Sequence, residues 1–123
     1  MTPRRGPWLT TAVFCREGDD QLAVIDGLDT IRGSDLRIAL MLGLVRDDHV
    51  GSIDLRLTAH SPSNDQVGEV VAIVDLPDAG DVPGQVMVPI TVGQVQDGTY
   101  WFELRLQDRL ITRLPLRVTN PPE

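Results

Sequence analysis

The chain contains no lysine: all 11 of its basic residues are arginine. A lysine Schiff base, a P-loop lysine and an intramolecular lysine isopeptide bond are therefore excluded. A single cysteine, Cys15, permits no internal disulfide. One cysteine and two separated histidines, His49 and His60, fall short of the several closely spaced Cys and His ligands of a usual transition-metal site. No segment approaches the ~18 consecutive apolar residues of a membrane-spanning helix, and the opening MTPRRGPWLTTAVF has two arginines but no apolar stretch of signal-peptide length. Cytoplasmic residence without membrane contact is the expectation, consistent with a free thiol. Basic charge is outweighed as well: the formal net charge is −7 and the pI about 4.6, which argues against a nucleic-acid partner held by a basic surface.

What is present fits one globular unit. With 41% hydrophobic and 24% charged residues over 123 positions, the chain can bury a real core. Residues 1–8 read as a flexible lead-in, 9–119 as a single domain and 120–123 (NPPE) as a disordered tail. Within the domain, short apolar alternations are separated by turn-rich stretches. Leu9–Cys15 suits a first strand, and Leu22 to about Ile31 a second, interrupted at Asp26-Gly27 by a bulge or bend. Leu36–Val45 (LRIALMLGLV) has helix-forming composition, but Leu36, Ile38, Leu40, Leu42 and Leu44 alternate, so a central strand covered on both sides is predicted. Ile53, Leu55, Leu57 and Ala59 mark a half-buried strand, and Val67–Leu76 returns as its hairpin partner. In Val86–Val92, Pro89 implies an edge position or a local break, and such an edge could pair with another chain. The predicted fold is all-β: an antiparallel two-sheet sandwich of about seven to eight strands with Greek-key crossovers.

The strongest pattern is residues 97–119. Tyr100, Phe102, Leu104 and Leu106 share one face; Trp101, Glu103, Arg105 and Gln107 share the other. With Asp108-Arg109 as the turn, a β-bulge near Arg113-Leu114 places Leu116 opposite Phe102 and Val118 opposite Tyr100; a three-residue Gln107–Arg109 loop without a bulge is the alternative. Asp97-Gly98-Thr99-Tyr100 resembles the tyrosine corner of immunoglobulin-like sandwiches, with Phe102 where antibody domains carry a cysteine.

Most of the chain also resembles a family of small, uncharacterised bacterial proteins with an immunoglobulin-like sandwich. The residues that carry the resemblance are Ala12-Val13-Phe14, Leu22–Leu28 (LAVIDGL), Gly98-Thr99-Tyr100-Trp101-Phe102-Glu103-Leu104, and Pro115-Leu116-Arg117-Val118. Arg109 stands where that family carries a turn glycine. The resemblance implies a fold and no activity.

Chemistry is thinly represented. No G-x-S-x-G elbow accompanies the histidines, which are expected to be solvated loop residues, and Cys15 reads as a small buried hydrophobe. No catalytic residue and no cofactor is assigned. Acidic loops are candidates for calcium, with Asp75, Asp78 and Asp81 foremost and Asp19-Asp20 and Asp47-Asp48 elsewhere, although none follows the D-x-D-x-D-G pattern and aspartate is an ordinary turn residue. The remaining functional signal is Trp101 on the outward face of its strand, with Arg105 and Arg117 as flanking candidates; Trp8 either joins this interaction surface or packs over Trp101 and conceals it. The expected function is a non-enzymatic protein–protein interaction or assembly module, with another protein or a second copy as partner. A loop-based binder of calcium or carbohydrate is the alternative.

Overall fold

The computed structural model describes residues 6–17, 22–25, 27–29, 34–46, 49, 51–76 and 84–119. They contain β1 (Trp8–Glu17), β2 (Leu22–Ile25), β3 (Gly27–Asp29), β4 (Leu36–Val45), β5 (Ile53–His60), β6 (Gln66–Val74), β7 (Gly84–Val92), β8 (Gly98–Leu106) and β9 (Arg109–Thr119). A first sheet has the order β2-β1-β4-β7 and a second the order β3-β9-β8-β5-β6. Neighbours are antiparallel, except for the three-residue β3–β9 pair. The segment expected to run from Leu22 to about Ile31 changes sheets between Ile25 and Gly27: β2 pairs with β1, and β3 with β9. The bend read from Asp26-Gly27 is the point of that switch. Trp8 belongs to β1, and Pro7 before it is buried; residues 1–5 and 120–123 lie outside the described residues.

Period-two alternation fills the space between the sheets. Leu36, Ile38, Leu40, Leu42 and Leu44 on β4 are 0–1% exposed, and Ala39 on the opposite face of the same strand is 2% exposed. The strand is therefore covered on both sides at its middle, and its helix-forming composition loses to burial. From the second sheet come Ile53, Leu55, Leu57 and Ala59 on β5 and Tyr100, Phe102, Leu104 and Leu106 on β8. The two phenylalanines of the sequence meet across the layers, Phe14 of β1 against Phe102 of β8, with ring centroids 5.1 Å apart. Cys15 faces Ala39 across β1 and β4 on the side away from this core, and it too is buried. Pro89 is exposed on β7 at the edge of the first sheet, where a residue without an N–H is tolerated.

The tyrosine corner is formed. The Tyr100 hydroxyl accepts a hydrogen bond from the Gln96 N–H at 2.8 Å, and Val95, fully buried, donates its own N–H to the Ser34 carbonyl at 3.0 Å. Gly98 has φ +138°, and a Cβ there would lie 2.7 Å from Cγ of Pro62, so both conformation and space demand glycine. A second tie closes the other end of the sandwich: the Arg46 guanidinium donates to the carbonyls of Gly51 (2.6 Å), His49 (3.4 Å) and Leu76 (2.6 Å). It joins the turn after β4 to the residue that follows β6.

The β8–β9 hairpin has neither expected turn, and over Tyr100–Leu104 its pairing is that of the three-residue-loop alternative and not of the bulged reading. Its two turn residues are Gln107 and Asp108, both with positive φ (53° and 63°), and Leu106 faces Arg109. The reason is Gln107: its N–H donates to the Asp54 carbonyl at 2.9 Å, and its side-chain oxygen accepts from the Asp54 N–H at 2.5 Å. Turning one residue earlier therefore gains two bonds to β5. A bulge follows, as expected, but between Leu110 and Thr112. Tyr100 consequently faces Leu116, and Phe102 faces Leu114.

Replacing Tyr100 by Phe keeps the ring and removes the corner hydrogen bond. Stability should fall by about 0.5–1.5 kcal/mol, read as a lower urea midpoint at unchanged slope.

Candidate functional site

Because the even-numbered residues of β8 are buried, Trp101, Glu103 and Arg105 must project from the outer face of the second sheet. The register supplies their neighbours: Trp101 lies between His60 of β5 and Pro115 of β9, Glu103 between Thr58 and Arg113, and Arg105 between Arg56 and Leu110. Arg117 occupies the same face further along β9, opposite Thr99.

Glu103 organises the centre of this face. One carboxylate oxygen lies 3.3 Å from Nε2 of His60 and 3.2 Å from a terminal nitrogen of Arg105, and the other lies 3.3 Å from Nε of Arg113. His60 also stands 3.4 Å from the buried Thr58 hydroxyl. Held in this way, the Arg113 guanidinium sits over the Trp101 ring, 4.9 Å from its centroid. Trp101 is half-buried beneath it.

Toward the β6 edge the surface changes character. Arg56 and Arg105 face each other directly, an unfavourable like-charge pair that the Arg105–Glu103 contact relieves. Beyond Arg56 stand Val71 and Ile73, exposed by 62% and 71%. Together with Asp54, Leu55 and Asp108, these residues line a shallow cleft of about 460 Å³.

Of the residues picked out from sequence, Trp101, Arg105 and Arg117 share one face. Trp8 does not join them: it starts β1 in the first sheet, with the Arg109 guanidinium 5.5 Å from its ring and the Pro7 carbonyl accepting from Arg109 at 3.5 Å. It stacks against the hairpin tip instead of covering Trp101. His60, expected as a solvated loop residue, ends β5 half-buried against Glu103. His49 does lie in a turn, with Nε2 at 2.8 Å from the Ser52 carbonyl. Asp75 is exposed after β6; Asp78 and Asp81, like Asp19-Asp20 and Asp47-Asp48, lie outside the described residues. Among the described residues no three His, Cys, Asp or Glu side chains are grouped to hold a metal ion.

Sequence reasoning missed Glu103, Arg113 and His60 as a unit. The alternation of β8 did place Glu103 beside Trp101; the bulged register put Arg117 opposite Trp101 and Pro115 opposite Glu103, whereas the alternative three-residue loop already paired Glu103 with Arg113, as observed. Relative to the bulged reading the observed register moves both partners by two residues.

No family model matches the chain, and no curated protein matches it. Solved structures do. A glycosyl hydrolase family 2 member from Bacteroides cellulosilyticus superposes with a TM-score of 0.67 at 15% identity, over 90% of this chain and 15% of that one. The present chain thus corresponds to a small part of that protein. An immunoglobulin-like protein from Pseudomonas aeruginosa matches with a TM-score of 0.52 at 11% identity, over 92% and 96% of the two chains. The CARDB domain of a Pyrococcus furiosus protein, solved with di-metal ions, matches with 0.53 at 9% identity, over 98% and 100%. At these identities the likeness concerns the fold, which is an immunoglobulin-like sandwich.

The Glu103–Arg113 pair is partly exposed, so its contribution is modest. A double-mutant cycle of Glu103→Gln and Arg113→Gln should give a coupling of about 0.2–1 kcal/mol in urea unfolding.

Proposed function

We propose that this chain is a non-enzymatic contact module, an accessory or assembly domain that binds another protein through the outer face of its second sheet. The observation that carries this reading is the Trp101–Arg113–Glu103 arrangement: an aromatic ring and a guanidinium fixed in position on the outer sheet face. Tryptophan and arginine supply much of the energy at protein interfaces when they are immobilised before contact. Exposed Val71 and Ile73 extend the same face with apolar area. The correspondence to a minor part of a much larger chain also suits a domain that works alongside others.

Trp101→Ala leaves the core residues of β8 in place, so cooperative unfolding should persist while capture of the partner from cells of origin falls at least tenfold. Arg113→Ala should weaken capture in the same direction. A Trp101→Ala protein that captures the partner as well as the parent does would place the contact elsewhere.

Calcium titration followed by calorimetry separates this reading from a loop-based binder. No heat beyond dilution is the expected result; a saturable heat lost on Asp75→Asn would favour the binder.

A further inference from the structure

A sheet edge is a row of main-chain N–H and C=O groups able to take another strand, and folds protect their edges with short strands, proline or charge. Among the described residues there are four: β2 and β7 in the first sheet, β3 and β6 in the second. β2 and β3 have four and three residues, and β7 carries Pro89. β6 is different. It runs for nine residues, QVGEVVAIV, with no proline and with Glu69 as its one charge.

The outward-facing groups of β6 follow from the Gln107 contacts. Both the N–H and the C=O of Asp54 bond to Gln107, so both point toward β8. Main-chain groups alternate between the two edges along a strand, which turns those of Leu55 and Leu57 toward β6, onto Ala72 and Val70. Glu69, Val71 and Ile73 therefore aim their N–H and C=O groups away from the sheet.

We propose that β6 pairs antiparallel with β6 of a second copy of this chain, across a two-fold axis at Val71. In this register Val71 meets its own counterpart and Glu69 meets Ile73 in both directions. All three outward residues of each strand are then paired, and each facing pair exchanges two hydrogen bonds. The strand is its own complement, because its single charge falls opposite an apolar residue. Centring the axis on Ala72 instead sets Glu69 against Asp75. On the inner side Val70 meets Ala72 and Val74 meets Gly68, residues only partly buried in the single copy, so the pairing extends the core across the axis. The edge is separated from β8 by β5, so the main-chain pairing needs no contact from Trp101, although the Val71 and Ile73 side chains belong to the same outer face.

Sedimentation of the whole chain over a dilution series tests the pairing. The parent should show a reversible monomer–dimer equilibrium, and Trp101→Ala should retain it. Val71→Pro removes an outward N–H while sparing every β5–β6 bond, so it should be a folded monomer. If that variant fails to fold, Val71→Lys, an exposed position at which two ammonium groups would meet on the axis, should be monomeric with its unfolding temperature kept. Mild oxidation reports the register: Val71→Cys should form a covalent dimer, since facing Cα atoms lie about 5.5 Å apart in such a pair, whereas Glu69→Cys should not. Native Cys15, 1% exposed, does not compete. A parent that is monomeric throughout, a folded Val71 variant that stays dimeric, or equal cross-linking by Glu69→Cys would overturn the proposal.

Discussion

The strict two-residue period of β8 governs both the inside and the outside of this protein. Tyr100, Phe102, Leu104 and Leu106 are all 0–1% exposed, and shifting the strand by one residue would exchange every buried side chain for an outward one. The Tyr100 hydroxyl fixes the phase: bonded to the Gln96 N–H, it sets where the strand begins and so which residues enter the core. Trp101, Glu103 and Arg105 are on the surface as a consequence. The face proposed for contact is thus the complement of the core, and the packing that holds one holds the other.

The same logic explains what the sequence disclosed. Alternation is a local property, so burial on β4, β5, β7 and β8 could be read directly, and glycine and proline punctuation located the bend before β3 and the edge at β7. Register is different, because it depends on which distant group a turn residue reaches. Gln107 carries no sequence signature of a hairpin turn, and a glutamine-aspartate pair with two positive φ angles runs against the usual Asn-Gly preference. Only its two bonds to Asp54, 53 residues away in sequence, explain the turn. In the bulged reading, the two-residue displacement that follows hid Arg113 from Glu103 and gave Arg117 a prominence that its place opposite Thr99 does not support.

Charge is distributed unevenly in a way that the net value of −7 conceals. Four of the 11 arginines, Arg56, Arg105, Arg113 and Arg117, lie on the outer face of the second sheet, while the outer side of the first sheet carries small or apolar residues, Met41 on β4 and Met87 and Pro89 on the edge strand β7, with Cys15 and Ala39 buried beside them. The overall field discourages polyanions at long range. Within a Debye length of about 8 Å at physiological salt, the arginine face can still meet a carboxylate-bearing partner. Composition alone bears on the first effect, and only topology reveals the second.

Glu103 gives that face its economy of motion. A free arginine side chain loses about 2 kcal/mol of rotamer entropy when fixed by a partner, and a surface ion pair returns little by itself. Here one carboxylate already restrains Arg105 and Arg113, and Arg113 in turn shields one side of Trp101. Part of the ordering cost of the proposed association is therefore met during folding, not during binding. An isolated exposed tryptophan would be a hazard on a sheet surface. A tryptophan covered by a guanidinium that its neighbour holds in place exposes less of its ring, and the proposed partner would take the position over it.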